Sequence, residues 1–94
     1  MIILNVYYQA KPGKRDAFYK AVQESGVAVA SRQEEGNIKY DYYMAADDAD
    51  TILLVEHWID DAAFQFHIQQ PHFKELGGIK EEYVADTKIM RFEE

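Results

Sequence analysis

Cysteine is absent from this chain. That removes disulfides, thiolate nucleophiles, Cys-based zinc sites and iron–sulfur clusters together. Basic residues are few and scattered: ten Lys and Arg stand against seventeen Asp and Glu, for a net charge of −7, and the densest basic group is only Lys11, Lys14 and Arg15. Phosphate binding needs a clustered basic surface, so nucleic acid is excluded as a partner. An acidic surface also disfavours anionic membranes. No apolar run reaches the ~18 residues that a membrane span requires. The opening Met1–Val6 run is apolar but has neither a basic n-region nor a cleavage site, and reads as a first strand rather than a signal peptide. A cytoplasmic protein is the expectation. There are two prolines, Pro12 and Pro71, and each should mark a boundary between elements.

Aromatic residues are plentiful: seven Tyr, five Phe and one Trp in a chain that is 48% hydrophobic. A disordered chain is not built this way. The length of 94 residues suits one domain, 1–94, with a single core. Residues 2–9 are β-branched and aromatic and end at Lys11-Pro12-Gly13, which predicts a strand. Phe18, Ala21, Val22, Ser25 and Val29 recur at helical spacing and predict one long helix over 14–34. Gly26 inside it costs about 1 kcal/mol relative to Ala, for which close approach to the sheet is the expected reason, and Gly36 is the expected C-cap. Residues 37–45 and 51–59 alternate as two strands across the acidic turn Asp47-Asp48-Ala49-Asp50, and should pair as a hairpin. Asp60 or Asp61 suits the N-cap of a second helix. Pro71 should break that helix, and Gly77-Gly78 should end or bend the piece that follows. Residues 86–93 read as the last strand. The order β-α-β-β-α-β is the ferredoxin-like arrangement: an α+β fold with an antiparallel sheet and helices on one face.

The strands are apolar on both faces. Ile2, Leu4, Val6 and Tyr8 oppose Ile3 and Tyr7; Ile52, Leu54 and Trp58 oppose Leu53, Val55 and Ile59. Helices cover only one side of such a sheet, so the other wants cover. A second copy, sheet against sheet, supplies it economically. The sequence therefore predicts a homodimer, with His57 on the interface side.

Chemistry concentrates between Glu56 and Phe73, and all three histidines fall between positions 57 and 72. Glu56 shares a strand face with Ile52, Leu54 and Trp58, where a carboxylate is costly unless paired. His67, one helix later, is the expected partner: either a satisfied pair pinning helix to sheet, or a proton-moving pair in which Glu56 fixes the histidine tautomer. Asn5 stands in an apolar strand and should have a partner, either backbone or dimer mate, or a substrate oxygen in a pocket. Trp58 suits the core or a pocket wall. His72 suits a helix start or a pocket rim. The tyrosines mostly fill the core, with the Tyr42 hydroxyl expected at the pocket. No metal is expected, because His67 and His72 are five residues apart with a proline between, off the i, i+4 spacing of a helical metal pair. There is no Gly-rich phosphate loop, and a Ser-His-acid nucleophile is unsupported.

Glu34-Glu35-Gly36-Asn37 before the second strand, Glu56-x-Trp58, Ala63-Phe64-x-x-His67 and Gln70-Pro71-His72-Phe73 together resemble the antibiotic biosynthesis monooxygenase (ABM) domain. The resemblance spans essentially the whole chain. It is nearest to the small bacterial branch of quinol monooxygenases and autoinducer-2-processing enzymes. It implies a dimeric α+β barrel with a pocket in each protomer, and O₂-dependent oxidation of a quinol or phenol without metal, flavin or other cofactor. It implies Asn5, Trp58 and His67 as site residues, with Glu56 as the orienting acid; the candidate catalytic residues are thus His67, Glu56 and Asn5, and the candidate substrate-binding ones Trp58, His72, Phe64 and Tyr42. A haem-degrading branch shares an Asn matched by Asn5, but its axial histidine aligns near Gly77, so the iron ligand is missing. An autoinducer-2-type phosphorylated substrate would want basic pocket residues, for which Lys39, Lys74 and Lys88 are the candidates. An isomerase for a small metabolite and a non-catalytic dimeric ligand-binding module are the alternatives, because fold alone does not settle function.

Overall fold

Strands form where the alternation is cleanest. The computed structural model describes residues 1–94, with β1 (Ile2–Ala10), α1 (Arg15–Ser25), α2 (Val27–Arg32), β2 (Asn37–Met44), β3 (Thr51–Trp58), α3 (Asp61–His67), α4 (Pro71–Tyr83) and β4 (Val84–Glu93). The four strands make one antiparallel sheet in the order β2-β3-β1-β4. This is the ferredoxin-like topology, with each expected helix divided in two. The β2–β3 hairpin forms as expected.

Register decides which residues meet the helices. Leu4 lies opposite Glu56, Ile2 opposite Trp58 and Val6 opposite Leu54, and Tyr40 lies opposite Glu56 on the other side. Because side chains alternate, these residues share one face. On it Ile2, Leu4, Val6, Tyr8, Ile52, Leu54, Trp58 and Tyr40 are buried against Phe18, Val22, Val27 and Leu76 of the helices. Asn5, Tyr7, Leu53, Val55, His57, Met90 and Phe92 line up on the opposite face, which no element of the chain covers.

The glycines depart from the sequence expectation. The helix expected over 14–34 is two helices, because Gly26 adopts φ +80° and ends α1 with its N–H bonded to the Gln23 carbonyl. Nothing lies within 4 Å of where a Cβ at Gly26 would point, so its backbone conformation, not close packing, is the reason for glycine. Gly36 shows the reverse. It is not the helix cap, since α2 ends at Arg32 with Gln33 as its cap. A Cβ at Gly36 would collide with Cβ of Ala63, so this glycine lets the turn before β2 lie directly on α3. Gly77 and Gly78 do not end the helix either; α4 runs through them to Tyr83. Each costs about 1 kcal/mol relative to Ala. Burial of Leu76, worth about 1.5–3 kcal/mol, with Ile79 and Tyr83 packed against the core, offsets that cost. β4 accordingly starts at Val84 rather than residue 86. No helix is long and apolar enough to cross a membrane.

Candidate active site

His67 is positioned by a helix that stops at it. Asp60 caps α3 by accepting a hydrogen bond from the Ala63 N–H at 2.8 Å, and His67 is the last residue of the helix. The chain turns through Ile68–Gln70, and Pro71 opens α4 at a position where its missing N–H costs nothing. His72 therefore sits in the first turn of a new helix, with its ring centroid 5.8 Å from that of His67. The proline break brings together two histidines that a continuous helix would keep apart. The spacing argument against their cooperation does not hold.

The two rings meet on Glu34. Its Oε2 lies 2.6 Å from His67 Nδ1 and 2.7 Å from His72 Nε2. A carboxylate only accepts, so both imidazoles donate. His67 then carries its proton on Nδ1 and presents a bare Nε2. This corrects the expected pairing: Glu34, not Glu56, fixes the His67 tautomer. Glu56 Oε1 stands 3.7 Å from His67 Nε2, within ion-pair range but too far for a hydrogen bond. It instead accepts from Trp58 Nε1–H at 3.2 Å. Trp58 also stacks on His67 with centroids 4.4 Å apart, and Phe73 meets the same ring edge-on at 5.4 Å. The imidazole is thus held at Nδ1 and packed by aromatic rings, with only Nε2 free to act.

His67 Nε2 is the ring nitrogen nearest Glu56, and both residues line a cavity of about 180 Å³ between sheet and helices. Leu4, Val6, Tyr8, Phe64, Leu76 and Ile89 give it apolar walls, and Glu56, His67, Tyr40 and Lys80 bring polar groups to it. The Tyr40 hydroxyl is buried and makes no hydrogen bond. Lys80 Nζ lies over the Tyr8 ring, 5.3 Å from its centroid.

Burial sets the protonation of the central pair. Glu56 is pushed up to about 7, chiefly by desolvation and further by the charge of Glu34, against the opposing pull of Trp58 and Lys80. His67 is pushed down by desolvation, although Glu34 works to raise it. Lys80 is lowered by burial and partly held up by Glu56. The usual gap between a carboxyl and an imidazole is narrowed from both sides: Glu56 titrates near neutrality, and burial favours the neutral form of His67. Environments that move two groups in opposite senses make an acid and a base from one pair.

The residues singled out in the sequence divide accordingly. His67, Glu56 and Phe64 line the cavity. Trp58 lies behind Glu56 and His67, fully buried, and holds both. His72 is on the far side of Glu34 from the cavity-facing nitrogen. Tyr42 packs edge-on against Tyr40 at 6.0 Å and is not part of the lining. Asn5 is on the opposite face of the sheet, paired in register with Val55 and Met90. Three residues escaped notice as site residues. Glu34 stood in the Glu-Glu-Gly-Asn motif without a role. Tyr40 was assigned to core filling. Lys80 lies just beyond Gly77-Gly78, a pair expected to end or bend the helix; Lys39, Lys74 and Lys88, the basic candidates for a phosphorylated substrate, do not line the cavity.

Comparison with known proteins shows the family and the fold. The family model described as antibiotic biosynthesis monooxygenase matches residues 1–77. A Bacillus subtilis (strain 168) protein named "Putative monooxygenase YcnE" is 38% identical over 74 residues, covering 79% of this chain and 76% of the relative. The crystal structure of PA3566 from Pseudomonas aeruginosa superposes with a TM-score of 0.88 at 26% identity, covering 99% of this chain and 92% of that one. A structure described as "Putative antibiotic biosynthesis monooxygenase from Nitrosomonas europaea", at 23% identity, shares the fold with a TM-score of 0.89 over 100% of this chain and 98% of that one. The matched span runs from β1 through Glu34, Glu56, Trp58, His67 and His72 to the middle of α4, and the chain belongs to the antibiotic biosynthesis monooxygenase family.

Proposed function

We propose that this protein is an oxygenase for a phenol or quinol of one or two rings, with His67 as its base. The observation that carries this reading is the convergence of a bare His67 Nε2, the Glu56 carboxyl and the Lys80 cation on one apolar cavity. Apolar walls with a few convergent polar groups are the mark of a small-molecule site. An engineered cavity of about 150 Å³ admits benzene, so 180 Å³ suits a small ring system.

In this reading His67 Nε2 takes the hydroxyl proton of the substrate, and Glu34 holds the imidazolium that forms. Lys80 and the Tyr40 hydroxyl stabilise the phenolate oxygen. The electron-rich anion then reacts with O₂. One oxygen atom enters the ring, and the other leaves as water with the two hydrogens that the substrate loses, which converts a phenol to a quinone. Protonated Glu56 is placed to return a proton to the reduced oxygen.

Oxygen uptake on a panel of quinols and hydroxylated aromatics, run beside His67→Ala, tests the reading. Uptake that depends on His67 is expected. A panel that gives none, with a folded protein, overturns it in favour of a small-metabolite isomerase using the same base.

The open face supports a homodimer. Met90 and Phe92 stand 41% and 44% exposed beside Ile3, Val55 and Leu53. Asn5 and His57 belong to this face rather than to the cavity. Sedimentation should give twice the chain mass for the protein and the single chain mass for Val55→Glu; a monomeric wild-type protein at tens of micromolar removes the dimer.

A further inference from the structure

We propose that Glu34, His67 and His72 form a binding site for one divalent ion of the zinc class, and that filling it turns His67 from a base into a hydrogen-bond donor. The first half is independent of the oxygenase reading; the second rests on it.

The three ligand atoms, Glu34 Oε2, His67 Nδ1 and His72 Nε2, lie within 4.8 Å of one another. They come from the turn before β2, the end of α3 and the start of α4, so three packed segments converge on one point. Two imidazoles and a carboxylate are a donor set for zinc and its neighbours, not for magnesium or calcium, which prefer oxygen. Three protein ligands leave one position open for water. The side chains of Glu34 and His67 are 6% and 2% exposed, and His72 at 17% gives the way in.

Glu34 uses its oxygens unevenly. Oε2 serves both histidines, while Oε1 is buried with no partner at all. A buried carboxylate oxygen without a donor is costly. An ion seated between the three side chains removes that imbalance. With bonds of about 2.0–2.2 Å, tetrahedral donors stand roughly 3.4 Å apart, so the Glu34–histidine contacts of 2.6 and 2.7 Å must open by less than about 1 Å, while the two imidazole nitrogens, within 4.8 Å of each other, settle to the same spacing. Rotation of the Glu34 carboxylate, with Oε1 taking a share, provides it.

The consequence for His67 is chemical. An ion on Nδ1 requires the ring proton to sit on Nε2. The nitrogen facing the cavity then donates and no longer accepts. Glu34 and His72 are not part of the cavity lining, so the ion would stand behind the imidazole and out of reach of a substrate. It would silence the base rather than activate an oxygen.

Zinc chloride titrated calorimetrically into chelator-stripped protein tests the site, beside Glu34→Gln and His72→Ala with their folding checked by circular dichroism. One ion per chain with a Kd of about 10 µM or tighter is expected, weakened at least about tenfold in either variant. Absence of saturable binding overturns the site, as does binding that both variants retain unchanged. Should a variant fail to fold, cobalt chloride with the wild-type protein decides instead: tetrahedral visible absorption that zinc displaces supports the site, and its absence removes it. Long-range ¹H–¹⁵N spectra of the wild-type protein read the tautomer directly. Zinc should move the His67 proton from Nδ1 to Nε2. Saturable binding with no tautomer change overturns the switch and keeps the site, and neither result depends on finding a substrate for the oxygenase.

Discussion

Leu4, Val6 and Tyr8 on one face of β1 are 4%, 4% and 3% exposed, while Asn5 and Tyr7 between them are only half-buried under open solvent. The same alternation runs through β3, where Glu56 is 6% exposed and His57 beside it is half-buried. Two neighbouring titratable residues thus face opposite environments. Glu56 sits where helices exclude water, and its carboxyl is raised to about 7. His57 looks out from a face that no helix covers. Burial of polar groups, costly for stability, creates acid and base strength on the covered face. Apolar residues left exposed on the other face suit association instead.

The largest effect that tests this contrast is kinetic. If the covered face alone does the chemistry, His67→Ala lowers turnover by about 10²–10⁴-fold, the usual contribution of a positioned base. His57→Ala, an imidazole lost from the open face, should change turnover less than about twofold on the same comparison. Equal losses in the two variants would erase the distinction between the faces and bring the open side into the site.

The next effect is thermodynamic, and its sign differs between the two buried groups. The Glu56 carboxyl rises from 4.5 to about 7 in the fold, so the folded state holds a proton that the unfolded state gives up. Its contribution is therefore lost as pH rises from 4.5 through about 7, by about 3 kcal/mol in full. His67 is lowered from 6.5, so stability is lost as pH falls below that value. Glu56→Gln keeps an acceptor for Trp58 and removes the first loss. Urea unfolding should show the variant gaining on the wild-type protein by up to about 3 kcal/mol between pH 4.5 and 8. A difference that stays constant with pH would mean that Glu56 is not desolvated as the fold implies.

How much of this was legible in the sequence depends on which force was acting. Strand alternation and the Asp60 cap were readable because they are local, and the sheet followed from them. The apolar character of both faces was readable from β1 and β3 alone. Glu56 and His67 were found by type and face. Glu34 was not, because its partner lies 33 residues away and only the tertiary fold brings them together. Lys80 was not legible because a pair of glycines reads as an end or a bend of the helix, whereas packing of Leu76, Ile79 and Tyr83 outweighs the propensity and carries the helix through. Asn5 looked like a site residue on composition, while period-2 alternation already placed it with Ile3 and Tyr7. The proline at 71 looked like a barrier between two histidines, and it is what brings them together.

Gly36 and Gly26 give the smallest and sharpest test, because the two positions need glycine for different reasons. Gly26→Ala places a Cβ in open space but on a backbone at φ +80°. It should cost about 1 kcal/mol through left-handed strain alone, and the whole of α2 separates it from Glu34. Gly36→Ala has an ordinary backbone and no space: its Cβ meets Ala63, two residues after the start of α3. The turn that carries Glu34 must then lift from the helix that carries His67. Overpacking of this kind costs about 1–3 kcal/mol, and here part of the cost is a lengthened Glu34–His67 hydrogen bond. The ¹⁵N shift of His67 Nδ1 should therefore move in Gly36→Ala and stay fixed in Gly26→Ala, even where the two unfold at similar urea concentrations. The reverse pattern would mean that close approach at Gly36 does not set the geometry of the imidazole, and that the cluster is held by α3 and α4 alone.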